Sequence, residues 1–340
     1  MKKIIILVLL LSLATGLAFA DETVITLEEA YAMLPETTLQ SELDDINISQ
    51  LQLALDEVLE LASAYIYVYN FESEYNKLIT QTIKPFLAQA ELDRAIATRS
   101  LNIEAQRTEV EKTFMEIYVQ EYAVDYLKNM LASAEDALEK GKLRFRLNQI
   151  SSYDVSKLEY DLAKAEFDLN EAELNLKGKF DDLKVLLAID PEETIAIDYE
   201  MVLKTQTFEV KEDPTRVYLH AKLEAAQMTI DRSQSFFQPY ESERVDDQLA
   251  LLLSQLNYEK YANSIIANEK NQHNNYLIQQ NNYELSLKYL QLMQEQLLIS
   301  QQKAELSLIS DDTLKAMEFA YEKAALVTLE NMLKVNESTQ

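Results

Sequence analysis

Glycine occurs three times in 340 residues, and only Gly141 and Gly178 lie beyond the first twenty. Sheets joined by tight turns need residues that accept positive φ, and two glycines cannot supply them. The residues that abound instead (Leu, Ala, Glu, Lys, Gln) are good helix formers. With five prolines in the whole chain, interruptions are few. The sequence reads as all-α, with long helices.

The first twenty residues read as a segment separate from the fold. Lys2 and Lys3 precede an apolar stretch from Ile4 to Leu13, and Ala18-Phe19-Ala20 gives a small-x-small cleavage site before Asp21. That is the layout of a secretory signal peptide at 1–20, and it predicts export to the cell envelope. Cysteine is absent, so no thiol can carry a lipid anchor or form a disulfide. Acidic residues number 58 against 31 basic ones, a net charge of −27 before cleavage. Such a chain lacks the basic patches that hold nucleic acid or anionic lipid. Its 48% hydrophobic content is too high for a disordered chain.

Helix starts are marked by caps. Thr26-Leu27-Glu28-Glu29 reads as a capping box opening a short helix that stops near Leu34, before Pro35. Asp190-Pro191 and Asp213-Pro214 each read as an N-cap followed by proline at the first helical position. Ser151 and Ser310 read as caps, with Asp154 in the first turn after one and Asp311 and Asp312 after the other. Carboxylates there meet the positive end of the helix dipole.

From Val155 to Leu176 apolar residues recur in steps of three and four: Val155, Leu158, Leu162, Ala165, Leu169, Ala172. Phe180, Leu183 and Leu187 continue the face after a stutter. Upstream, the series from Phe114 through Ile117, Val124 and Leu138 to Gly141 and Phe145 has similar spacing. Two antiparallel heptad helices joined by a short polar turn form a hairpin, with Asn148 taking the left-handed conformation at its tip. An offset of 159 lays Asn148 on Ser307, Ile150 on Ile309 and Ser151 on Ser310. Pro85 and Pro239, each followed by an aromatic residue, mark the expected opposite turns. The chain thus divides into two internal repeats, 21–198 and 199–340, each with a rod of about 62–65 residues.

Residues that would carry catalysis or bind a cofactor are missing. His220 and His273 lack ligand-spaced partners, there is no glycine-rich phosphate loop, and carboxylate pairs are too common to single one out. No enzyme activity, metal or cofactor is expected. The Asn/Gln-rich run from Asn268 to Asn282 fits either a pore lining or an exposed helix face. Tyr65, Tyr67, Tyr69 and Phe71 fit either a short strand or a buried helix whose face includes Leu61, Tyr75, Ile79 and Ile83.

The opening "ITLEEAYAML", the two long-helix repeats, and the tips "LNQISSYDVSKLEYDLAKAE" and "LSLISDDTLKAMEFAYEKA" together resemble the TolC-type outer-membrane efflux proteins. The resemblance spans nearly all of 24–337 and is strongest over 138–190. It implies a homotrimer whose hairpins form a periplasmic tunnel, with tips that dock on an adaptor protein and an inner-membrane pump. On that basis the docking residues are Asn148, Ile150, Ser151 and Asp154, with Ser307, Ile309, Ser310 and Asp311; Asp154 matches the family's tip aspartate.

The family also implies a β-barrel, with a strand hairpin inserted between the ascending and descending helices of each repeat. Here 236–244 is too short for two membrane strands of about 9–11 residues each and 65–84 could hold two short strands at most, so the barrel strands are expected to be missing. Two functions remain open: an efflux conduit of the cell envelope, or a helical spacer that kept the rods and lost transport.

Overall fold

The computed structural model describes residues 23–34, 39–64, 71–204, 213–234 and 242–339, without the side chains of 71–73 and 242–244. The expected leader 1–20, the aromatic stretch at 65–70 and the turn around Pro239 lie outside the described residues. Helices account for most of the rest: α1 (Leu27–Met33), α2 (Leu39–Ala64), α3 (Phe71–Leu78), a π-helical segment (Ile79–Ile83), α4 (Lys84–Arg146), α5 (Ser152–Leu187), α6 (Pro214–Ser233), α7 (Ser242–Glu305) and α8 (Asp311–Ser338). The expected rods are present. α4 and α7 run 63 and 64 residues, about 95 Å each at 1.5 Å per residue.

Pairwise packing arranges these helices as a layer. On the tip side of the molecule the order is α5, α4, α8, α7; on the other side it is α2, α4, α6, α7. The heptad face is what binds α5 to α4. Val155, Leu158, Leu162, Ala165 and Leu169 are half-buried, and Ala172, Leu183 and Leu187 are buried. Opposite them Phe114, Ile117, Val124, Leu138 and Gly141 are buried, whereas Phe145, near the tip, is exposed. The seam thus opens about one turn before the hairpin ends.

Gly141 sits where the rods approach closely. A methyl group built there would run into Leu158 Cδ1 and lie 3.8 Å from Ile150 Cδ1. The other glycine, Gly178, has open space around the same position, and no contact explains it.

Three expectations need correction. Pro85 does not mark a turn: α3, the π-helical segment and α4 form one continuous helix from Phe71 to Arg146. Proline has no N–H and its ring collides with the carbonyl four residues back in a regular helix. The wide turn absorbs this, with the Lys84 N–H reaching Ile79 O, five residues back. The match of prolines between the two halves therefore falls away, and the likeness of the halves rests on their tips.

The second correction is Asp190, which caps no helix. Its Oδ1 accepts from Glu192 N at 2.9 Å and its carbonyl from Glu193 N at 3.0 Å, closing a turn. By contrast Asp213 caps α6 as expected, accepting from Arg216 N at 2.7 Å. The turn after Asp190 leads into a short strand. β1 (Thr23–Thr26) and β2 (Ile195–Asp198) pair in parallel, Thr23 beside Ile195. Ile25 and Ile195 enter a core with Ala30, Val110, Phe114, Ile117, Leu183 and Leu187. Finally, Leu61 is exposed and does not share the buried face of Ile83.

Between α4 and α8 lies a half-buried carboxyl, Glu322, whose Oε2 has no hydrogen-bond partner. Burial raises its pKa, Glu318 adds to the rise and a hydrogen bond from Asn129 opposes it. Burial, and then Glu322, pushes the facing Tyr122 hydroxyl up to about 12. A carboxyl pKa raised by folding means that the folded chain holds the proton more tightly than the unfolded one. Its stabilising effect is complete below the ordinary carboxylate value and is lost as pH rises through the raised value. Glu322→Gln should therefore unfold at a higher temperature than the parent at pH 7. The gap should close as pH falls to about 4. Equal melting at pH 7 would place Glu322 in contact with bulk water.

Candidate functional site

The two tips share one construction. After α4 the chain turns through Asn148 at φ 52°, and after α7 through Ser307 at φ 56°. In the first tip Asn148 N donates to Phe145 O at 2.9 Å and Gln149 N to Arg144 O at 2.9 Å. In the second, Ser307 N donates to Ala304 O and Leu308 N to Lys303 O, both at 2.8 Å. A left-handed residue closing two such bonds satisfies the last carbonyls of the rod. Neither position is glycine, and no glycine among the described residues has positive φ.

The return helices start on hydroxyl caps. Ser151 Oγ accepts from Asp154 N at 3.2 Å, while Asp154 Oδ2 accepts from Ser151 N at 2.9 Å and from Ser151 Oγ at 2.7 Å. These bonds from Ser151 hold the Asp154 carboxyl below the ordinary carboxylate range. In the second tip Ser310 Oγ accepts from Thr313 N at 3.2 Å, and Asp311 opens the helix.

Ile150 and Ile309 behave differently from an exposed docking knob. Both are half-buried, and Ile150 turns back toward Gly141. Apolar groups that do face solvent at the tips include Leu147, Leu306 and Leu308, the last two 70% and 69% exposed. The sequence signal for them was leucine beside a left-handed position, on one side of Asn148 and on both sides of Ser307.

A cluster of four charges joins the hairpins just above the tips. Asp136 Oδ2 accepts from Lys140 Nζ at 2.9 Å and from Lys315 Nζ at 3.0 Å. Lys140 Nζ also reaches Asp312 Oδ1 at 3.2 Å. The lysine hydrogen bonds hold the Asp136 carboxyl below its usual range, and the Asp136 and Asp312 bonds raise the Lys140 ammonium. Asp312, placed in the sequence as a dipole partner, thus also ties α8 to α4.

His220 pairs with Glu224, with Nδ1 3.5 Å from Oε1, and no group of three metal-ligating side chains occurs among the described residues. The Asn/Gln-rich run lies on α7 with most of its side chains exposed. No described helix is long and apolar enough to cross a membrane.

No protein-family profile and no curated protein sequence matches the chain. Solved structures do. The VceC outer membrane protein of Vibrio cholerae matches with a TM-score of 0.65 at 11% identity, over 92% of this chain and 95% of that one. The open-state MtrE outer membrane channel of Neisseria gonorrhoeae matches at 0.61 and 12%, over 92% and 87%. The CmeC outer membrane channel of Campylobacter jejuni matches at 0.58 and 11%, over 95% and 88%. The chain has the fold of these TolC-type channels.

Proposed function

We propose that the protein is the tunnel component of an efflux assembly in the cell envelope, exported after removal of 1–20, and that its tips dock on a periplasmic adaptor serving an inner-membrane pump. The observation that carries the reading is the pair of matched tips. Each combines a left-handed turn, a capped return helix and leucines that face solvent, which no packing need of the rods explains. The shared fold of outer membrane channels supports it. The two halves, 21–198 and 199–340, are in this reading copies of one hairpin unit, and the working form is a homotrimer.

The far end of the tunnel differs from a barrel-bearing channel. Only 65–70 separate α2 from α3, and only 235–241 lie between the α6 cap Gln234 and α7. Neither span reaches the length of one membrane strand, about 9–11 residues, and a hairpin needs two. Neither of these two spans therefore supplies the tunnel with a strand hairpin long enough to cross the outer membrane. This same feature favours a second reading, a non-transporting helical spacer.

The tips separate the two. Purified parent protein should retain a periplasmic adaptor of its own envelope. The triple variant Leu147→Ser, Leu306→Ser, Leu308→Ser should bind that adaptor at least tenfold more weakly, a loss of about 1.4 kcal/mol, with unchanged helicity by circular dichroism. Retention equal to the parent's removes the leucines from the docking surface. A parent that retains no adaptor decides for the spacer.

A further inference from the structure

The two tips share a backbone but carry opposite charge. The end of α4 and the start of α5, from Lys142 to Lys157, hold Lys142, Arg144, Arg146 and Lys157 against a single carboxylate, Asp154, a net charge of +3. The matching stretch of the second tip, 301–316, holds Lys303 and Lys315 against Glu305, Asp311 and Asp312, a net charge of −1. Under the offset that superposes the tips, Arg146 falls on Glu305, Lys142 on Gln301 and Lys157 on Ala316. In a chain of net charge −27 the cations of the first tip are a local reversal, which the overall balance hides.

All four cations of the first tip are exposed, and none forms a salt bridge among the described residues. Asp154 feels the charges of Lys157 and Arg144, but its carboxylate is committed to Ser151. Just above the tips the cations are paired instead, Lys140 with Asp136 and Asp312, and Lys315 with Asp136. The helix dipole accounts for part of the pattern, since Arg144 and Arg146 stand in the last turn of α4, where cations are favoured. It does not account for Lys157, in the second turn of α5, or for Glu305, a carboxylate that ends α7.

We propose that the two tips are unlike docking sites, and that the first takes an acidic segment of a partner protein while the second rejects it. Leu147, 59% exposed, supplies an apolar centre and the four cations a charged rim, the usual make-up of a protein interface. Guanidinium groups suit carboxylates in particular, through paired hydrogen bonds. The rest of the chain repels an acidic partner, so its field steers such a segment past the rods to the end that attracts it. An anionic membrane fits less well. Asp312 is hydrogen-bonded to Lys140, so the acidic tip stands beside the basic one. A broad anionic surface would meet both, whereas a segment one helix wide, about 10 Å, meets the first alone. The proposal rests on the conduit reading for the partner being an adaptor, but not for the surface itself.

Two helical-hairpin peptides test the charge, identical except for a Glu/Asp turn in one and a Lys turn in the other. The full parent chain should bind the acidic peptide more tightly than the basic one, by about tenfold or more. Its association with the acidic peptide should slow as ionic strength rises from about 0.01 to 0.15 M, where the Debye length shrinks from about 30 to 8 Å. The triple variant Lys142→Gln, Arg144→Gln, Arg146→Gln should lose about tenfold or more in affinity for that peptide, at parental helicity. Lys303→Gln, the counterpart of Arg144 at the second tip, should bind as the parent does. The reversed variant Lys142→Glu, Arg144→Glu, Arg146→Glu should prefer the Lys peptide, a gain that misfolding cannot produce.

Equal affinity of the parent for the two peptides, unchanged binding by the triple Gln variant, or an equal loss in Lys303→Gln would each overturn the inference. Binding of the parent to phosphatidylglycerol vesicles but not to the acidic peptide would give the surface to a membrane and overturn it too. Acidic peptide bound by a parent that retains no adaptor keeps the surface and sinks the conduit. Adaptor retained equally by the parent and the triple Gln variant sinks the charge pairing and leaves the conduit standing.

Discussion

Phe114→Ala should lower the unfolding free energy by about 3–5 kcal/mol, the usual loss for an aromatic side chain deleted from a site that cannot collapse. Phe114 is fully buried where the two strands, α1, α4 and α5 converge. Its ring meets Tyr199 edge to face, with centroids 5.8 Å apart, an arrangement that adds to the area it buries. Little can move in to fill the space. Val110 and Ile117 are fixed on the same helix, Leu183 on the opposing rod, and Ile25 by strand pairing with Ile197. Urea unfolding measures the change, with an unchanged denaturant slope showing that the unfolded chain is the same. A loss under about 1 kcal/mol would mean that the cluster closes over the gap. Phe114→Leu, which keeps most of the volume, should cost less than about 1.5 kcal/mol.

Asn336→Leu should cost about 2–4 kcal/mol, through polar groups left unpaired. Asn336 is fully buried near the end of α8. Its Oδ1 accepts from Lys204 N at 2.8 Å, and its Nδ2 donates to Val202 O at 2.9 Å and to Met115 Sδ at 3.4 Å. Leucine is similar in volume, so the packing survives while the Lys204 N–H and the Val202 carbonyl lose their partners. Faster hydrogen exchange at the Lys204 amide should accompany the loss. If stability falls while that amide stays protected, the damage lies in packing and the hydrogen-bond account fails. Asn336→Asp tests the same point differently, since a carboxylate still accepts from Lys204 N but cannot donate to Val202 O.

How far the sequence could be read depended on the distance over which each signal acts. The rods, the tips and the caps were legible because their rules are local. Heptad steps name the face of α5, and Ser151 and Ser310 sit one turn before their partners. Asn148 stands out because a turn was needed where no glycine was available. The strands were not legible. Four residues at Thr23 pair with four at Ile195, across 172 positions, and each stretch is too short to show alternation. Asp190-Pro191 had the local signature of a helix start, but the chain was already committed to carrying Ile195 back to β1. Pro85 misled because proline usually ends a helix, and nothing local announced the wide turn that lets this one continue. At the tips, the turn and caps were readable, but whether Ile150 faced outward depended on Gly141 nine residues earlier.

The wide turn at Ile79–Ile83 has a consequence for how this rod can be lengthened or shortened. A π turn holds one residue more than an α turn would over the same rise, so every side chain above it is rotated by about 100° relative to an unbroken helix. That rotation sets the azimuth at which Leu78 and Ile83 meet Ala225 of α6, while leaving the face that α4 offers to α5 and α8 where its own heptads put it. The segment works as an angular coupling between two stretches with different partners. A residue deleted from 79–83 would be felt as a twist of the upper stretch alone, and a residue deleted from the α4 seam would be felt along its whole length. Changes of length are tolerable in one place and ruinous in the other, although both lie on the same continuous helix.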